Sequence, residues 1–287
     1  ARYYGVKEEM VLIGNGSDEL IHILLTAVGS SYPASVLFPT PTFAMYGISA
    51  LNTGHRIVEV PLDRQLDLDM DAMLAAISDA RPSLIFLSYP NNPTGRCFDR
   101  RGMERILEAS GGLVVVDEAY GNFSGKTFLG DLDRWDNLVV LRTLSKVGLA
   151  ALRLGILIGH PSLVHQLNKV RLPYNVNIFS QVVGEIFTER STEFLEPVER
   201  IIAGRRWLSD ELMAIEGITP HPSDANFILF SCVTEKDAVY EQLVERGVLV
   251  KNFTSPDSLA NCMRVTVGTA EENREFIETL RGIVQGE

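Results

Sequence analysis

Short, uninterrupted apolar runs separated by helical patterns constrain this chain more than any other feature. "ASVLF", "SLIFLSYP", "GLVVVDEAY" and "NLVVLRT" each place Val, Leu, Ile or Phe at consecutive positions. Successive side chains of a strand point to opposite faces, so such a run is apolar on both and must be covered on both. That is the condition of parallel strands lying beneath helices. "RIVEV" reads as a further strand. The stretches between carry helical spacing: "SDELIHILLTAVG", with Ser17 as its expected N-cap, then "DLDMDAMLAAISDA" and "DRRGMERILEAS". "PTPTFAMYGISALNTG" turns first and then becomes helical. Strand and helix alternating in this way predict an α/β fold, a mostly parallel sheet flanked by helices, over residues 1–175. Past residue 175 the rhythm changes. A helix around "SQVVGEIFTER" precedes a long one from Ser191 to Glu216, in which Pro197 marks either the first turn or a kink. "NFILFSC", "VLVKNF" and "CMRVTVG" are strands, mixed with helices around "EKDAVYEQLVERG" and from Glu271 onward. Residues 176–287 are therefore expected to form a smaller C-terminal α+β domain.

Bulk properties narrow the function classes. The 287 residues suffice for two domains, and 26 basic against 37 acidic side chains give a net charge of −11. A nucleic-acid surface needs a basic stripe, so no nucleic-acid partner is expected. No apolar run approaches the ~20 residues of a membrane span, and no signal peptide is visible. Cys97, Cys232 and Cys262 are scattered, which suits reduced thiols in a cytoplasmic protein. Neither they nor the five histidines have ligand spacing, so no metal site is expected.

In an open α/β sheet, ligands bind beyond the carboxyl ends of the strands. Three consecutive strand ends deliver polar residues to that edge. "SLIFLSYPNNPTG" brings Asn91 and Asn92, "GLVVVDEAY" brings Asp117 and Tyr120, and "NLVVLRTLSK" brings Thr143, Ser145 and Lys146. Each has a plainer use: "NNPTG" is good turn chemistry, Asp117 could cap a helix, and "GNGSDE" could be a loop and a cap. A lysine just past a strand is ordinarily solvated. Lys146 set among apolar neighbours would instead lose hydration and become a nucleophilic, Schiff-base-forming amine. The convergence of the three ends favours the chemical reading.

Taken in order, "LIGNGSDELI", "NNPTG", "VVVDEAY", "TLSKVGLAALRLG", "YNVN" and "MRVTVGTAEEN" resemble the fold-type-I pyridoxal-phosphate aminotransferases, and among them the histidinol-phosphate aminotransferases. The resemblance spans practically the whole chain. It implies pyridoxal 5′-phosphate as cofactor, Lys146 as its covalent anchor and proton shuttle, and Asp117 beside the ring nitrogen. Asn92 and Tyr120 would donate to the ring's phenolic oxygen. The backbone at Ser17 and Asp18, the Ser145 hydroxyl and Arg153 would hold the phosphate, with Arg153 one residue nearer to Lys146 than in many relatives; Thr143 would also be among the cofactor-binding residues. Phe43 would stack on the ring, or else serve as a core aromatic. Arg264 would bind the substrate's anionic group, or else pair with a surface carboxylate. Lys251 stands where such enzymes often place a second arginine for the substrate phosphate. Asn175, with Tyr174 and Asn177, matches a signature near the site or else structures a loop.

The resemblance further implies a homodimer acting on small molecules, an amino donor and a 2-oxo acid. Relatives carry an additional N-terminal segment that helps hold the dimer, and its absence here is expected to impair turnover more than cofactor binding. Transamination of histidinol phosphate with 2-oxoglutarate is the leading expectation. An aromatic aminotransferase, a decarboxylase of a phosphorylated amino acid, and a catalytically silent cofactor-binding protein are the alternatives.

Overall fold

The computed structural model describes residues 1–29, 34–233, 235–255 and 257–286. The larger part of the chain runs β1 (Val11–Asn15), α1 (Ser17–Val28), β2 (Ser35–Thr40), α2 (Met45–Asn52), β3 (Arg56–Pro61), α3 (Met70–Ala80), β4 (Leu84–Ser88) and α4 (Arg100–Ala109). It continues with β5 (Leu113–Asp117), the short α5 (Gly121–Ser124), β6 (Leu138–Thr143), β7 (Leu154–Gly159) and α6 (Pro161–Leu167). Two helices follow, α7 (Ile178–Glu189) and α8 (Ser191–Met213). The remainder is β8 (Ile218–Pro220), β9 (Phe227–Cys232), α9 (Lys236–Glu245), β10 (Lys251–Asn252), β11 (Cys262–Thr266) and α10 (Ala270–Gln285).

The first seven strands form one sheet in the order β1-β7-β6-β5-β4-β2-β3, parallel except for β7, which runs against both its neighbours. The alternation of side chains along each strand builds two cores. Val114 and Val116 of β5, with Val140 of β6, face the layer of α3 and α4, where Met73, Ile77, Met103 and Ile106 are buried. Val115, Val139 and Leu141 face the opposite layer, packed on Leu20 and Leu24 of α1, Tyr46 of α2 and Leu167 of α6. Each such side chain contributes about 1.5–3 kcal/mol by leaving water, so the runs that define the strands also fix which helices cover them. The expectation of a mostly parallel, helix-covered sheet is met.

The antiparallel strand β7 was not singled out from "RLGILIGH". Its direction follows from the link 144–153, which is shorter than the crossover of a dozen or more residues that a parallel return requires. The second sheet is antiparallel, in the order β10-β11-β9-β8, with α9 and α10 sharing its core. Helix α8 joins the two bodies: Val198 is buried in a core of the large sheet, Leu208 and Leu212 in that of the small one. Pro197 lies inside this helix, which begins at Ser191, so it does not mark the first turn.

One capping expectation is corrected. Ser17 is the first residue of α1, and the N-cap is Gly16, at φ 83° and with no side-chain cap bond. A Cβ at Gly16 would collide with the Arg153 guanidinium, and its positive φ would strain any other residue.

Candidate active site

Because β1, β4, β5 and β6 all run the same way, their carboxyl ends open on one edge of the large sheet. A cavity of about 130 Å³ lies there. Its walls contain every residue expected to touch a cofactor: Ser17 and Asp18 from the start of α1, Phe43 before α2, Asn92 after β4, Asp117 and Tyr120 at the end of β5, and Thr143, Ser145, Lys146 and Arg153 around the β6–β7 link. Ser88 and Ala119 complete the lining.

Asp117 is the buried end of the site. Its Oδ2 accepts from the Tyr46 hydroxyl at 2.7 Å and its Oδ1 from the Ala119 N–H at 3.0 Å. Burial pushes its pKa above the ordinary carboxylate value, opposed by these two donors and by the positive charge of Lys146. Tyr46 is fully buried, stacked on Phe86 with ring centroids 4.6 Å apart, and has the edge of Phe43 against it at 5.5 Å. Burial and the neighbouring Asp117 hold the Tyr46 phenol well above its usual pKa, so it stays a neutral donor. Tyr46 was not singled out in the sequence, where only Phe43 of "PTPTFAMY" was.

Lys146 sits in the turn after β6 with its amine 5.2 Å from the centre of the Tyr120 ring. The expected apolar surroundings are not what the fold provides. Leu144 and Val147 turn into the core while Lys146 itself is exposed at the cavity mouth. The amine is thus accessible and stands over an aromatic face.

On the same cavity wall, positive charge and open N–H groups gather. The first turn of a helix leaves backbone donors without intrahelical partners, and α1 has no side-chain cap to occupy them. Arg153, at φ 51°, ends the turn before β7 and reaches the same place, paired with Asp18 at 3.0 Å. The Thr143 hydroxyl donates to the Leu154 carbonyl at 3.0 Å and accepts the Ser145 N–H at 3.1 Å, which fixes the turn carrying Ser145 and Lys146.

The small sheet contributes Arg264. Its guanidinium lies 4.7 Å from the Phe227 ring centre and donates from Nη1 to Asn92 Oδ1. Its Nε is buried without a partner, and burial lowers its pKa, offset only by Tyr120. Among the described residues Arg264 pairs with no carboxylate, so the alternative of a surface ion pair is not what the fold provides; its link to the site is the bond to Asn92, which is on the cavity wall. Lys251 is directly opposite Arg264 in the β10–β11 register and is exposed, beside Phe253.

Asn175 is not on the cavity wall. It donates to Glu19 at 2.7 Å and to the Ile13 carbonyl at 3.2 Å, bracing the β1–α1 loop that presents Ser17 and Asp18. Asn177 caps α7 through the Ser180 N–H at 2.9 Å. A larger cavity of about 290 Å³, between residues 1–4, β1 and α7, is mostly apolar and holds none of these groups. Among the described residues there is no cluster able to hold a metal ion, and no helix is long and apolar enough to cross a membrane.

A buried carboxylate, an arginine beside a helix start, and an accessible amine beside an aromatic ring, all lining one cavity, fit a phosphorylated pyridine aldehyde. The pattern of aminotransferase classes I and II matches residues 1–280. The histidinol-phosphate aminotransferase of Aquifex aeolicus is 45% identical over 281 residues, 98% of this chain and 79% of that protein. The second histidinol-phosphate aminotransferase of Nitrosococcus oceani is 45% identical over 283 residues, 98% of this chain and 78% of its own. Among solved structures, the Clostridium acetobutylicum histidinol-phosphate aminotransferase superposes with a TM-score of 0.91 at 21% identity, over 100% of this chain and 87% of that one. The Sinorhizobium meliloti one, solved with pyridoxal-5′-phosphate, gives 0.90 at 22%, over 100% and 79%. At such identities the structural likeness concerns the fold.

Proposed function

The chain belongs to the class I and II aminotransferases, and from that premise we propose that it is a pyridoxal-phosphate-dependent histidinol-phosphate:2-oxoglutarate aminotransferase. The observation that carries the reading is the single cavity into which the fold brings Lys146, Asp117, Asn92, Tyr120 and Arg153 together. The substrate rests on the relatives named for it, at 45% identity over nearly the whole chain.

When bound, pyridoxal phosphate supplies an electron sink for the substrate carbon that bears the amine. Lys146 Nζ would hold the cofactor by its aldehyde carbon and, as the accessible base beside the substrate, would move the proton of the amine-bearing carbon. Asp117 would keep a proton on the ring nitrogen. Because Asn92 Oδ1 is engaged by Arg264, its NH₂ is left to donate to the ring oxygen, together with the Tyr120 hydroxyl. Arg153, Ser145 and the α1 start receive the cofactor phosphate. Arg264, with its unpartnered Nε, receives the substrate's anionic group, and Lys251 adds a point charge for a second anion. The setting is cytoplasmic, in keeping with three cysteines buried as thiols.

The test begins with borohydride reduction of the cofactor-loaded protein and peptide mass analysis. The cofactor mass is expected on the peptide containing Lys146, and Lys146→Ala is expected to lose it while turnover falls by about 10³-fold or more. Product analysis with glutamate, histidinol phosphate, phenylalanine and threonine phosphate then assigns the substrate. Absence of label at Lys146 refutes the cofactor reading; release of carbon dioxide instead of amino transfer refutes the reaction.

A further inference from the structure

The Asp117 carboxylate has two oxygens and three claims on them once a ring nitrogen arrives. Oδ1 is occupied by the Ala119 N–H, a bond fixed by the backbone of the turn. Oδ2 is occupied by a phenol whose own position is set by packing: Tyr46 is fully buried, stacked on Phe86 at an interplanar angle of 4° and edged by Phe43. Tyr46 and Asp117 are 71 residues apart in sequence, and their bond joins α2 to the end of β5 across the core. A buried hydroxyl in that position is not interchangeable with a methyl-sized filler, because it decides where the charge of the carboxylate points.

Resting on the cofactor reading above, we infer that Tyr46 is a positioning residue that holds Asp117 as an oriented carboxylate and thereby sets how firmly the ring nitrogen stays protonated. Tyr46 touches neither substrate nor reacting atoms; it acts through Asp117. The other groups acting on Asp117 are Asp18 at the start of α1 and Lys146 after β6, and those acting on Tyr46 include Ser88 of β4 and Tyr120. With the donor removed, Asp117 competes harder for the shared proton. The ring then draws electrons less strongly, and the Lys146 nitrogen that anchors it holds its own proton to higher pH. With a stronger donor the opposite holds.

The experiment compares wild type, Tyr46→Phe and a protein carrying 3,5-difluorotyrosine in place of Tyr46, all loaded with cofactor. Difluorotyrosine keeps the ring and its stacking while making the hydroxyl a stronger donor. The pH midpoint of the visible absorption band is the primary readout, with kcat and KM alongside. Tyr46→Phe is expected to raise the midpoint by about half a unit or more. Its kcat is expected to fall about tenfold with KM unchanged, the loss of one hydrogen bond to a charged group. Difluorotyrosine is expected to lower the midpoint. If both variants keep the wild-type midpoint, or both move it the same way, the inference is overturned, because a purely structural tyrosine would alter melting temperature and leave the midpoint alone. A wild-type protein that develops no visible band overturns the cofactor reading beneath it and this inference with it.

Discussion

Asp117 is costly to the fold before it is useful to a ligand. Burial raises its pKa, so the ionised form is disfavoured in the folded protein relative to the unfolded chain. The sign follows from linkage: a carboxyl whose folded pKa lies above its unfolded value favours the folded state at low pH and loses that advantage as pH rises through the folded value. Cofactor-free Asp117→Asn is therefore expected to melt at a higher temperature than cofactor-free wild type at pH 8. The gap should close near pH 3.5, below the ordinary aspartate value of about 3.9, where wild type is protonated in both states. Melting curves at the two pH values check this; an Asn variant less stable than wild type at pH 8 contradicts it. The same variant is expected to lose turnover, so a residue kept for chemistry is paid for in stability. Asp117 itself was legible in the sequence, because a carboxylate ending "VVV" at a sheet edge is conspicuous. Tyr46 was not, since helical spacing marks it only as a core residue and its bond to Asp117 exists only after two distant elements pack. Lys146 was legible as an amine near the site, while its exposure depended on how the turn rotates Leu144 and Val147 inward.

At the scale of elements, the turn that follows β5 is secured by an ion pair beneath it. Glu118 is fully buried and pairs with Arg142 of β6 at 2.6 Å, while also accepting from Thr127 at 2.8 Å and the Phe128 N–H at 2.6 Å. Arg142 also donates to Thr127 at 3.0 Å, tying the segment 118–128 to β6. Removing one partner of a buried pair strands the other charge, at a cost of about 3–5 kcal/mol, whereas removing both costs less. Arg142→Leu is expected to lose stability of that order in urea unfolding, and the double variant Glu118→Gln/Arg142→Leu to recover part of it. A double variant no more stable than the single one would show that packing, not charge, dominates here. The elements themselves were largely readable, because apolar runs declare parallel strands and periodicity declares helices. What escaped was β7, whose "LGILIG" follows too soon after β6 to be parallel and merged with the apolar stretch around Lys146. Ser17 was misassigned as a cap because Ser is the usual cap residue. Here the backbone at Gly16 turns through positive φ to let Arg153 approach.

At the scale of the whole molecule, exposed apolar side chains concentrate around residues 172–186. Leu172, Tyr174 and Phe179 are 70%, 98% and 79% exposed, and Ile178, Val182 and Ile186 add to the same stretch. Isolated apolar side chains on a surface need no explanation, but a cluster of this kind marks an interface. Its position is informative. Asn175, inside the stretch, is hydrogen-bonded to Glu19 and to the Ile13 carbonyl, next to the helix start proposed to receive phosphate. A second copy docked on this face by a two-fold axis would bury both stretches at once, since the same patch serves each chain. It would also stiffen the link from β1 into the start of α1, where Ser17 and Asp18 stand. The homodimer that the sequence resemblance implies would thus couple assembly to the site. Phe179→Asp places a charge where a partner's apolar surface would have to desolvate it, so it is expected to convert a two-chain species into a one-chain species by light scattering at micromolar concentration. Fluorescence titration should also find cofactor held less tightly by that variant, because the bracing of the β1–α1 loop is weakened. A wild-type protein that already scatters as a single chain at the same concentration refutes the dimer, and a monomeric variant with undiminished cofactor affinity refutes the coupling.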